Sequence, residues 1–180
     1  MGNLIVLKGI DKWKVLNSKE VRALAGMVKQ QWGCDLSGLS ESCGFLEGKT
    51  GNIFLISRDI EKLDLQQLRI NSLGLYFGQL RNPSRAKHDW AQSTQVDLGD
   101  ELRLSIEGSQ LIGNAATKNV VEIDDGEFKD WIRGNDLEKS PDGCSGYVLV
   151  RHNTDFVGCG KCKEGKILNF VPKTRRIVTL

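Results

Sequence analysis

The chain has no apolar run long enough to cross a bilayer. The longest, residues 53–56 and 147–150, fall far short of the ~20 residues a membrane helix needs. Its N-terminal apolar run is too short for a secretion signal and has no basic segment before it. Only three prolines occur in 180 residues, and no stretch is low in complexity, which argues against a chain dominated by disorder. The cysteines number five, an odd count that fits reduced thiols better than a disulfide framework. These features together predict a cytoplasmic protein, or a nucleolar one in a eukaryote, with no membrane partner.

Enzymatic signatures are also missing. No Gly-x-Gly-x-x-Gly follows a strand pattern, no Ser-centred nucleophile elbow occurs, and the two histidines, His88 and His152, fall in polar loops. Gly48-Lys49-Thr50 resembles the end of a phosphate-binding loop, but Cys43 stands where the earlier glycine belongs and a hairpin is expected to follow. Zinc needs four ligands, commonly from two Cys pairs, and only Cys159-x-x-Cys162 has the spacing. Cys144 and His152 would have to complete a site, and strand geometry would send Cys159 and Cys162 to opposite faces. The expectation is no enzyme, no cofactor and no metal.

What is present is charge that is unevenly distributed. The net charge is only +2, yet residues 151–176 carry seven cations against two anions, an excess of five. Residues 122–138 hold seven acids: Glu122, Asp124, Asp125, Glu127, Asp130, Asp136 and Glu138. A near-neutral chain with a basic tail suggests a localised polyanion site, unless the tail is simply a solvated face.

Hydrophobic periodicity gives the elements. Val21, Leu24, Ala25, Val28 and Trp32 have helical spacing, with Asn17 or Ser18 as N-cap and Gly33 as terminator. Residues 44–47 and 52–57 flank turn chemistry and read as a hairpin. Short helical stretches are expected over 59–68, and a strand over 73–80. Residues 82–99 are polar and resist assignment. Arg81, Arg85, Lys87 and His88 beside Trp90 there suit either RNA stacking or a loop covering core. Residues 101–106 alternate as a strand, Glu107-Gly108-Ser109 reads as a turn back into a strand at 110–112, and 113–118 is the candidate domain boundary. Beyond it the pattern predicts a strand at 120–123 and a helix at 126–132 stopped by Arg133-Gly134. Strands follow at 146–151, 156–162, 166–170 and 176–180, with turns read at His152-Asn153-Thr154 and Glu164-Gly165. One helix followed by several short strands suggests a small β-barrel.

Four stretches of this C-terminal part resemble PUA domains, most closely the PUA-like modules of Sun-family rRNA cytosine methyltransferases. They are Trp131-Ile-Arg-Gly-Asn-Asp-Leu137, Gly146-Tyr-Val-Leu-Val150, Val157-Gly-Cys-Gly-Lys161 and the run from Lys166 to Ile177. Three upstream stretches, 52–57, 72–79 and 102–106, are similar to the N-terminal α/β domain of the Nip-seven family of ribosome-assembly factors. The two resemblances imply an α+β chain: a sandwich-like α/β domain over 1–115, then a PUA pseudo-barrel over 116–180. They imply RNA binding by Arg133, Gly134 and Asn135 at a helix end. Lys161, Lys163, Lys166, Lys173, Arg175 and Arg176 would supply the electrostatic footprint, and Asn169 would touch ribose or base, or else hold a turn. The implied partners are rRNA or a tRNA-like structured RNA, with ribosome-assembly proteins or an RNA methyltransferase alongside, in ribosome biogenesis or rRNA processing. The alternative is an adaptor that uses its acidic segment to dock a basic partner without touching RNA.

Overall fold

The computed structural model describes residues 13–48, 50–62, 73–81, 101–139 and 141–177. It is a mixed α+β structure with two sheets and few helices among those residues. The expected strand at 176–180 and most of the helical stretch at 59–68 lie outside or at the margin of this range. So does the whole Arg85–Trp90 group. No helix among the described residues is long and apolar enough to cross a membrane.

The chain packs as two compact units, Met1–Val28 with Asp35–Leu102, and Lys29–Cys34 with Arg103–Leu180. In the first, β1 (Trp13–Val15), β2 (Cys43–Gly48), β3 (Asn52–Ser57), β4 (Leu75–Arg81) and β5 (Glu101–Leu104) lie side by side in sequence order. The pairs β1–β2, β2–β3 and β3–β4 are antiparallel. Adjacent residues Phe45 and Leu46 on β2 are both fully buried, so both faces of that strand are covered. Trp13, Phe54 and Tyr76 line one surface, the first two meeting edge to face at 4.6 Å.

Helix α1 (Ser18–Trp32) starts where the sequence predicts. Asn17 Oδ1 accepts from the Lys19 and Glu20 backbone N–H groups, and Glu20 reaches back to the Asn17 N–H, a reciprocal capping box. The short α2 (Ser37–Ser42) leads into β2.

The second unit contains α3 (Ile106–Gly113), β6 (Val120–Ile123), α4 (Asp125–Arg133), β7 (Gly146–His152), β8 (Asp155–Lys163) and β9 (Lys166–Asn169). Its sheet runs β6-β7-β8-β9. β6 and β7 are parallel, so the connection between them has to cross over, and α4 is that crossover. After α4, Leu137 exchanges backbone hydrogen bonds with Ile167 of β9, while Lys139 Nζ donates to the Glu122 carbonyl of β6. This one segment therefore touches both edges of the sheet.

Trp131 is the centre of the core, fully buried among Val121, Ile123, Leu137, Val148, Val150 and Ile167. Its indole N–H donates to the Val157 carbonyl at 3.0 Å. The Gly-x-Gly of β8 lies over this ring: a Cβ at Gly158 or Gly160 would meet the indole. Truncating such a buried ring costs roughly 3–5 kcal/mol.

The stretch 107–112 differs from the sequence reading. It is a helix rather than a turn and a returning strand. Ser105 caps it by accepting from Gly108 N–H at 2.8 Å. The small face of Ser109 and Gly113 lets the helix sit against β8, where a Cβ at Gly113 would collide with the Phe156 ring. Packing thus groups α3 with the C-terminal elements, and the compact units divide between Leu102 and Arg103.

Candidate nucleic-acid interface

The C-terminal end of α4 gathers three of the predicted residues. Asp124 starts the helix with a full capping box with Glu127. Gly134 stops it at φ 91°, a left-handed conformation that glycine adopts without a Cβ penalty. Gly134 N–H and Asn135 N–H fold back to the Trp131 and Asp130 carbonyls. The missing side chain at Gly134 makes room for the Arg176 guanidinium, which lies where a Cβ would stand. Arg176 Nε donates to the Val171 carbonyl at 3.1 Å, and Ile177 N–H to the Ile132 carbonyl at 3.0 Å. Arg133 is exposed and has no carboxylate partner among the described residues.

Asn169 builds this end rather than facing outward. Its amide donates to the Trp131 carbonyl at 2.8 Å and the Asn135 carbonyl at 3.0 Å, while its Oδ1 accepts from Val171 N–H at 2.7 Å. Both amide hydrogens are used inside the module, which leaves none for a ribose or base. Of the two roles expected for Asn169, the structural one is the role its geometry serves.

The remaining cations do not form one free surface. Lys166 pairs with Glu138 at 2.6 Å, Arg175 with Glu107, and Lys163 with its neighbour Glu164 at 3.3 Å. Arg151 pairs with Glu122. The Glu138 carboxylate, by hydrogen bond and charge, raises the Lys166 pKa. Lys173 is exposed and has no carboxylate partner among the described residues. Lys161 lies over the Tyr147 ring, its Nζ 4.8 Å from the centroid. The expected footprint is therefore narrowed by pairing. Exposed pairs of this kind are worth little, so a phosphate can displace the carboxylate at small cost.

Cys159 and Cys162 sit on opposite faces of β8. Cys162 packs with Cys144 against the Trp131 core, whereas Cys159 is fully buried near Leu104 and Arg103. Burial pushes the Cys159 thiol up to about 12. Among the described residues no three His, Cys, Asp or Glu side chains are grouped to hold a metal. His152 stacks flat on Phe128, and its Nε2 lies 2.8 Å from Asp125.

One grouping has no signal in the sequence. Arg103 lies over Phe170 at 4.9 Å, and Phe170 lies 6.0 Å from Tyr147. Its members come from β5, β7, β8 and the end of β9, so local pattern cannot find it.

Residues 118–177 match the family model described as the methyltransferase RsmF PUA domain. The ribosomal RNA small subunit methyltransferase F of Vibrio vulnificus (strain YJ016) is 27% identical over 126 residues, covering 69% of this chain and 22% of that protein. The same enzyme of Aeromonas hydrophila subsp. hydrophila is 22% identical over 156 residues, covering 86% of this chain and 26% of that protein. The chain thus spans about a quarter of the length of these curated relatives. Both alignments are longer than the matched module, so the similarity extends upstream of Lys118. The stretch from Lys118 to Ile177 is a PUA-like module, similar to that of an rRNA methyltransferase family.

Proposed function

We propose that this protein is a non-catalytic factor that binds structured RNA through the α4 end of its PUA-like module and assists rRNA maturation or ribosome assembly. The observation that carries the reading is the Arg133–Gly134–Arg176 arrangement. Gly134 leaves room for the Arg176 guanidinium against the helix end, and Arg133, the residue before it, is exposed and has no carboxylate partner among the described residues. Lys173, close to Arg176 in sequence, adds a second charge with no carboxylate partner among the described residues. The similarity to rRNA methyltransferase F supports rRNA as the target class, and makes an RNA methyltransferase a natural partner.

The alternative, an adaptor that docks a basic partner on the acidic segment, has less support, because three of its seven acids, Glu122, Glu127 and Glu138, pair with Arg151, Lys139 and Lys166 of the same chain.

Filter binding to a structured RNA across a salt series tests the proposal. The logarithm of affinity should fall with the logarithm of salt by about 0.9 for each phosphate contact on a duplex. Reversing Arg133 and Lys173 to Glu, both exposed and outside the core, should weaken binding and flatten that slope by about two contacts. No binding by the wild type at low salt rejects the proposal.

A further inference from the structure

Two ion pairs adjoin the end of α4, and each joins parts of the chain that are distant in sequence. Glu107, in the first turn of α3, holds Arg175, the residue before the Arg176 that lies against Gly134. Glu138, four residues after Gly134, holds Lys166 at the start of β9 at 2.6 Å.

Neither pair is needed to hold the fold. Ser105 already caps α3, and two backbone hydrogen bonds between Leu137 and Ile167 already fix the segment after α4. Arg175, Lys166 and Glu138 are exposed and Glu107 is half-buried. Pairs in such a setting contribute little to stability. What the two carboxylates do set is the state of two cations. An anion that takes Arg175 or Lys166 has to displace a carboxylate, so a lone phosphate exchanges one ion pair for another and gains little. A chain of phosphates differs. Once some are held by Arg133, Lys173 and Arg176, the next arrives at a high effective concentration and wins the exchange.

We propose that Glu107 and Glu138 are built-in competitors for RNA phosphate, autoinhibitory contacts that hold Arg175 and Lys166 in reserve and yield them to phosphates already anchored beside them. This rests on the RNA-binding reading above and adds regulation of the same surface: the chain's own acids set the threshold for binding.

The test uses the full chain, one structured RNA and low salt. Glu107→Gln and Glu138→Gln keep the size of each side chain and remove its charge. Each should tighten binding by about 1.4- to 5-fold, the range spanned by one exposed pair. Asp142→Asn removes the charge of an exposed acid that has no cation partner among the described residues, and should change affinity less. Double-mutant cycles separate a competitor from general repulsion. The gain of Glu138→Gln should disappear in a Lys166→Gln background, and that of Glu107→Gln in an Arg175→Gln background. Thermal unfolding checks that each variant folds, and if Glu107→Gln does not, the Glu138–Lys166 cycle decides alone. Gains that survive without the paired cation, or that only match Asp142→Asn, overturn the proposal, as do folded variants that bind like the wild type. In all of these cases wild-type binding, and with it the RNA-binding reading, is left standing. RNA that binds neither the wild type nor the variants removes both.

Discussion

Asn169 is where sequence and fold are most tightly joined, and replacing it should be costly. Its side chain makes three hydrogen bonds, two donated to the Trp131 and Asn135 carbonyls and one accepted from Val171 N–H. At about 0.5–1.5 kcal/mol net for each bond, Asn169→Ala should lose roughly 2–4 kcal/mol. At about 2–4 °C per kcal/mol for a chain of this size, the thermal midpoint should fall by roughly 5–15 °C, read by circular dichroism. Asn169→Asp separates donors from bulk. A carboxylate there would face two carbonyl oxygens, with Asp136 already accepting from the residue's own N–H at 2.7 Å. Its pKa would be higher folded than unfolded. The folded state would then bind more protons in that window, and the aspartate variant would gain stability relative to Asn169→Ala as pH falls from 7 toward 4. An alanine variant that melts within about 2 °C of the wild type would refute the clamp. So would an aspartate variant whose stability ignores pH.

Two other predictions follow from the same unit. The Glu127 backbone N–H, and then that of Gly126, hold the Asp124 carboxyl below its ordinary value of 3.8 against the opposing effect of desolvation. Asp124→Ala should therefore melt earlier at neutral pH, Asp124→Asn less so. The wild-type margin over the alanine variant should shrink toward that of Asp124→Asn as pH falls from 3.8 through the lowered pKa of the cap, and a margin that does not change there contradicts the argument. Cys159, with its thiol raised to about 12 by complete burial, should escape iodoacetamide at pH 8 until the chain is unfolded, and mass spectrometry that finds it labelled in the native protein would contradict the packing described.

Elements whose signals are local were legible in the sequence. Helix α1 carries its own cap and terminator, and α4 is capped by Asp124 and Gly134, so both were found with boundaries good to about a residue. The hairpins at 153–154 and 164–165 were likewise marked by turn residues, and Asn153, Glu164 and Gly165 take the positive φ values such turns require. Helix α3 was missed because Glu107-Gly108-Ser109 reads as a turn until β8 is present. The same small residues are what allow the helix to approach the Phe156 strand. Asn169 was undecidable for a related reason. A polar residue near a strand end has the same local signature whether it meets RNA or two carbonyls more than thirty residues upstream.

The charge argument needed the fold most. Counting cations and anions within residues 151–176 gives an excess of five, because it counts only carboxylates that are near in sequence. Folding brings in three from outside that window: Glu107 to Arg175, Glu122 to Arg151 and Glu138 to Lys166. The excess left over is small, and it is not spread along the tail. Within the window these carboxylates, and Glu164 on Lys163, leave Lys161, Lys173 and Arg176, and Arg133, just outside it, has no carboxylate partner among the described residues. Arg176 lies against Gly134 at the end of α4, directly after Arg133, and Lys173 precedes Arg176 in the adjoining turn. A charge count over a segment measures what the unfolded chain offers to a polyanion. A binding site is what remains after the chain's own carboxylates have taken their share, so residues chosen for mutation should be those left unpaired by the fold.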